Sequence, residues 1–101
     1  MITNQISNEF LESINRYARE VVGKTLEFFA YDRYGKLVGH NFAKAKDHQV
    51  SMKIEGRYVN VVRVEVYNDE GFRLSTIRFD VTLTNSGTLT VHIPDLVAIK
   101  R

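Results

Sequence analysis

Near the start of the chain, apolar side chains recur at helical spacing. Ile6, Phe10, Ile14, Tyr17 and Val21 are separated by steps of four, four, three and four, which line one face of an α-helix. The pattern predicts an amphipathic helix over about residues 8–22. Ser7 is placed to cap its first turn, Ile6 and Leu11 to form a hydrophobic staple across that turn, and Gly23 to end the helix in a left-handed conformation. Glu12 with Arg16, and Glu20 with Lys24, stand four apart as favourable pairs on the polar side.

After Gly23 the period changes to two, and β-branched and aromatic residues dominate. The expected fold is α+β: one N-terminal amphipathic helix packed on an antiparallel meander sheet of five or six strands over about residues 25–99. The short stretches between strands supply the turns. "YDRYGKL", Tyr31 to Leu37, reads as a hairpin with Gly35 left-handed and Asp32 opposite Lys36. Leu26, Phe28, Ala30, Val38 and Phe42 then share one face, and Phe29, Tyr31 and Leu37 the other. Glu55 and Gly56 read as a two-residue turn, "NDEG" (68–71) as a four-residue loop, and "NSG" (85–87) as a three-residue loop.

These loop lengths fix a register. The last pairs Leu83 with Leu89, Val81 with Val91 and Phe79 with Ile93, and the middle one sets Val62 opposite Ile77. The two-residue turn sets Met52 opposite Val59, which has the other parity, so a β-bulge at Val61 and Val62 is expected. Phe10, Ile14, Tyr17, Val64, Ile77, Phe79, Val81 and Val91 form the predicted core. On the opposite face the same register sets Tyr67 against Phe72 and Glu65 against Leu74, giving an apolar cluster of Tyr67, Phe72 and Leu74 rimmed by Arg63 and Arg78.

Composition narrows the class. A chain of 101 residues, 44% hydrophobic and 26% charged, is expected to be one globular domain spanning residues 1–101. Cysteine is absent, so neither a disulfide framework nor a thiolate nucleophile is available. The opening "MITNQISNEF" has no signal-peptide pattern, and no apolar run reaches the roughly 18 residues of a membrane span. A soluble, cytoplasmic protein with no membrane association is expected. The net charge of +2 is small for a dedicated nucleic-acid binder.

Candidate chemistry is sparse. "VVGKT" has the tail of a phosphate-binding loop, but Ala18 stands where that pattern needs glycine, and a helix precedes it rather than a strand. His40, His48, His92, Asp47 and Asp95 have no metal-ligand spacing, and no serine lies in a nucleophile motif. No catalytic residue, cofactor or metal is therefore expected. The leading functional expectation is a non-catalytic protein-binding module or small intracellular inhibitor. It would act through a sheet face and hairpin loops, with Tyr67, Phe72, Leu74, Arg63, Arg78, Tyr31 and Tyr34 meeting a partner protein or a second copy of the chain. Aromatic and arginine side chains dominate interface energetics. A first alternative is nucleic-acid binding through Lys44, Lys46, Arg63, Arg73 and Arg78. A second is a ligand-binding or enzymatic pocket between helix and sheet, with His40 turned into it.

Overall fold

The computed structural model describes residues 2–17, 24–47 and 49–91. Among them are seven strands and one helix: β1 (Ile2–Ile6), α1 (Asn8–Tyr17), β2 (Thr25–Tyr31), β3 (Leu37–Lys44), β4 (Val50–Ile54), β5 (Val61–Tyr67), β6 (Arg73–Leu83) and β7 (Thr88–Val91). The strands form one sheet in the order β3-β2-β5-β6-β7-β1-β4, which curls until it nearly closes into a barrel. This overturns the expected helix on an open antiparallel meander. The fold is mostly β, and the sheet is mixed because β1 runs parallel to β7.

The first departure is β1. "ITNQI" carries a polar residue at Asn4 on its buried side, so period-two reading does not mark it as a strand. Asn4 is tolerated there because its Nδ2 donates to the Gly87 carbonyl oxygen at 2.9 Å, satisfying the largely buried amide. β1 then lies between β7 and β4, pairing antiparallel with β4 from Ile2–Ile54 to Ile6–Val50.

β4 consequently does not pair with β5, and the two-residue turn at Glu55 and Gly56 does not form a hairpin. The chain instead crosses one end of the barrel through residues 55–60. Asn60 N–H donates to the Tyr31 carbonyl at 2.8 Å, and Val81 N–H to the Asn60 carbonyl at 3.0 Å. The bulge expected at Val61 and Val62 is absent, because the parity conflict behind it came from a pairing that does not exist. Val62, Val64 and Val66 alternate inward without interruption.

Two other irregularities occur among the described residues. Between β2 and β3 the register shifts after Ala30–Gly39 to Tyr31–Leu37, leaving Val38 as the extra residue, and between β5 and β6 it shifts so that Leu74 is extra. The β5–β6 register is two residues from the expected one, with Val64 opposite Ile77 and Val62 opposite Phe79. A shift of two preserves faces, so Phe79 is buried and Arg78 and Asp80 are exposed. The β6–β7 pairs Val81–Val91 and Leu83–Leu89 agree with the reading from the "NSG" loop.

α1 enters the open end of this curl rather than lying across a flat face. Ser7 caps it, Phe10 N–H donating to Ser7 Oγ at 3.1 Å, and Ser7 N–H itself donates to the Leu89 carbonyl at 2.9 Å. Phe10 then meets Phe28 edge-on at 6.3 Å and Phe79 at 5.0 Å between ring centroids. With Ile14, Leu26, Met52, Val64 and Leu89 these rings fill the interior. Of the predicted core, Phe10, Ile14, Val64, Phe79 and Val81 are buried, and Ile77 and Val91 pack against them partly covered. The Tyr17 side chain, the helix beyond residue 17 and the sheet beyond residue 91 lie outside the described residues. Among the described residues no helix is long and apolar enough to cross a membrane.

The sheet's two edges, β3 and β4, meet at a seam. Glu55 N–H donates to the Val38 carbonyl at 2.8 Å. Asn41 uses both ends of its amide, Nδ2 donating to the Ser51 carbonyl and Oδ1 accepting the Phe42 N–H. The side chain thus stands in for backbone pairing and covers edge groups that would otherwise be open to another strand.

Candidate functional site

The outward face of β3, β2, β5 and β6 carries three cross-strand rows: Lys44, Thr25, Tyr67 and Arg73; Phe42, Glu27, Glu65 and Thr76; and His40, Phe29, Arg63 and Arg78. Period two put Phe29 and Tyr31 there, and Glu27 lies on the same side of β2. The bulge at Val38 adds His40 and Phe42, which is why Phe42 is 55% exposed rather than in the core with Val38.

Glu65 is the centre of this face and is only 2% exposed. Its carboxylate accepts from Thr76 Oγ1 at 2.6 Å and from Arg63, and Arg73 approaches at 3.6 Å. Burial pushes its pKa up, but the hydrogen bonds from Thr76 and Arg63 and the two guanidinium charges outweigh it, so the carboxyl titrates below its ordinary value. Arg63 also donates to the Tyr31 hydroxyl at 2.9 Å and lies over the Phe29 ring at 4.1 Å. Its pKa is raised, by the Tyr31 contact first, with burial opposing and Glu65 assisting.

A second chain of bonds runs across the strands beside it. Glu27 accepts from the Tyr67 hydroxyl at 2.9 Å and meets His40 Nε2 at 2.6 Å. The Glu27 bond, then burial and the neighbouring carboxylates, raise the Tyr67 pKa. His40 is flanked by Phe29 at 4.9 Å and Phe42 at 5.1 Å between ring centroids. It lies on this outer face, half-exposed, and not in a cavity between helix and sheet.

Of the residues singled out from sequence, Arg63, Tyr67, Tyr31, Arg73 and Arg78 do come together on this face. Tyr67, however, stands opposite Arg73 rather than Phe72, and Glu65 opposite Thr76 rather than Leu74, so its ring does not belong to a Phe72–Leu74 cluster. Phe72 sits in the β5–β6 turn and Leu74 at the bulge, both exposed at the margin of the face. Lys44 donates to Thr25 Oγ1 at 3.0 Å, while Lys46 is exposed in the following turn.

Tyr34 belongs to a different place. At the opposite end of the barrel from α1, Asp32 Oδ1 accepts the N–H groups of Tyr34 at 2.8 Å and Lys36 at 3.0 Å, and Gly35 takes φ +80, which locks the hairpin tip. The Arg33 guanidinium lies 5.7 Å from the Tyr34 ring and 5.2 Å from the ring of Tyr58, in the 55–60 crossing. Sequence reading missed Tyr58 because it expected that segment to be strand. Among the described residues, no group of three or more His, Asp or Glu side chains is placed to hold a metal ion.

No protein-family model matches the chain, and neither a curated protein nor a solved structure matches it.

Proposed function

We propose that the protein is a non-catalytic protein-binding module, or small inhibitor, that meets its partner with the outward face of β3, β2, β5 and β6. The observation that supports this most is the contrast within that face. Its central charges are paired with one another through Glu65, Arg63, Arg73, Glu27 and His40, while Phe42, Leu37, Phe72 and Leu74 stand exposed around them. Covering the centre of such a face removes apolar surface from water without stripping solvent from unpaired charges, Lys44 and Arg78, unpaired among the described residues, standing on its outermost strands. Two carboxylates at its centre weigh against a phosphate backbone lying there.

The test compares wild type with a Phe42→Ser, Phe72→Ser double variant as bait in the native cell. A stoichiometric partner held by wild type and lost by a variant of unchanged Tm is the expected result. A variant that keeps the partner at full affinity removes this face from consideration.

A further inference from the structure

We propose that the loop end of the barrel, away from α1, is a binding site for single-stranded nucleic acid. Bases would stack on Tyr34 and Tyr58, and phosphates would meet Arg33, Lys36 and Arg57. This goes beyond the sheet-face reading and does not depend on it.

The rings come first. Tyr34 is 82% exposed and Tyr58 60% exposed, and both flank one guanidinium, that of Arg33. Two rings and a planar cation at the tips of adjacent loops offer flat surfaces that accept flat ligands, and every nucleobase has a π-face. The hairpin that carries Tyr34 is fixed by the Asp32 carboxylate, so little ordering is left for the ligand to impose.

The charges are the second, independent observation. Among the described residues Arg33, Lys36 and Arg57 take part in no ion pair, whereas Arg63 and Arg73 on the sheet face both turn to Glu65. Asp32, the acid nearest Arg33 in sequence, spends Oδ1 on two backbone N–H groups of its own turn. Glu55 is the remaining acid among the side chains lining the same depression.

The surface is also shaped for an extended ligand. A cleft of about 400 Å³ is lined by Arg33, Tyr34, Lys36, Arg57 and Tyr58 among others. A cleft of about 770 Å³ shares Arg57 and Tyr58 with it, and one of about 470 Å³ shares Arg33 and adds Arg78. They form a run of open depressions across the loop end rather than one closed pocket. A carboxylate-bearing peptide would satisfy the cations but leave the rings without a flat partner.

The experiment is fluorescence anisotropy of a labelled oligothymidylate of roughly ten nucleotides, titrated with the full chain at several salt concentrations. Binding is expected to fall with salt with a log–log slope of about −2, as for three phosphates neutralised on a single strand. Tyr34→Ala and Tyr58→Ala are each expected to weaken it roughly fivefold or more with Tm unchanged. Tyr34→Phe and Tyr58→Phe keep the affinity, because stacking needs the ring and not the hydroxyl. Phe42→Ser, on the sheet face, leaves it unaltered. No binding at low salt overturns the proposal. So does affinity that is indifferent to both rings, equal affinity for duplex of the same length, or equal competition by polyglutamate, the last of which assigns the end to an acidic peptide.

Discussion

Gly39 on β3 lies directly against Ile54 on β4: a Cβ added at Gly39 would stand 2.6 Å from Ile54 Cδ1, 2.9 Å from Met52 Sδ and 3.1 Å from the Lys53 carbonyl oxygen. The glycine is there for space. Its place is at the seam where the two sheet edges meet, so only a residue without a side chain lets the barrel draw together. Gly39→Ala is expected to cost about 1–3 kcal/mol through overpacking, and Gly39→Val more. Ile54→Val removes Cδ1, so in the Gly39→Ala background it should recover part of the loss. Thermal denaturation of the two single variants and the double variant measures this coupling; strict additivity would show that Ile54 Cδ1 does not limit the approach of the two edges.

Glu65→Ala removes the acceptor shared by Thr76 and Arg63 and is expected to destabilise by about 1–3 kcal/mol. The pH dependence follows from the lowered carboxyl pKa. A depressed folded value means that this contribution is fully present above the unfolded value, about pH 4.3 for glutamate, and is lost as pH falls through the folded one. Denaturant unfolding across the acid range should therefore show a shallower loss of stability below that pH in Glu65→Gln than in wild type.

Tyr67 should titrate later than an exposed tyrosine, since its hydroxyl donates to Glu27 and its pKa is raised. The sign is opposite to that of Glu65. The stabilisation is present below the unfolded pKa and is lost as pH rises through the raised folded value. Ultraviolet titration of tyrosinate, compared between wild type and Tyr67→Phe, is expected to lose one late-titrating group in the variant.

Ser7→Ala is expected to cost about 1 kcal/mol, the usual loss of an N-cap, and to lower Tm by about 4–8 °C for a domain of this size. The Phe10 N–H loses its acceptor just where the ring of Phe10 must be aimed between Phe28 and Phe79. An unchanged Tm would mean that the Ser7 N–H bond to Leu89 alone holds this corner.

What the sequence determined by itself was local. Helical spacing from Ile6 to Ile14 located α1 and its cap at Ser7. Loop chemistry set the hairpin at Gly35 and the β6–β7 register at Gly87, because left-handed turn positions and loop length fix which residues oppose one another. Alternation placed Val62, Val64, Val66 and Phe79 inside, and Arg63, Glu65, Tyr67 and Arg78 outside. What only the tertiary structure decided was which strand lies beside which. β1 joined the sheet by pairing with β7 and β4, its buried Asn4 tolerated because it reaches the Gly87 carbonyl, distant in sequence. β4 then paired with β1 instead of β5, and the curl brought Gly39 against Ile54. Bulges at Val38 and Leu74 followed from fitting strands around that curl. The first set His40 and Phe42 outward, which brings His40 to Glu27, and the second set Tyr67 opposite Arg73. Pairing between distant strands depends on how a whole sheet closes over one core, a non-local balance of burial and backbone hydrogen bonding that no short window of residues encodes.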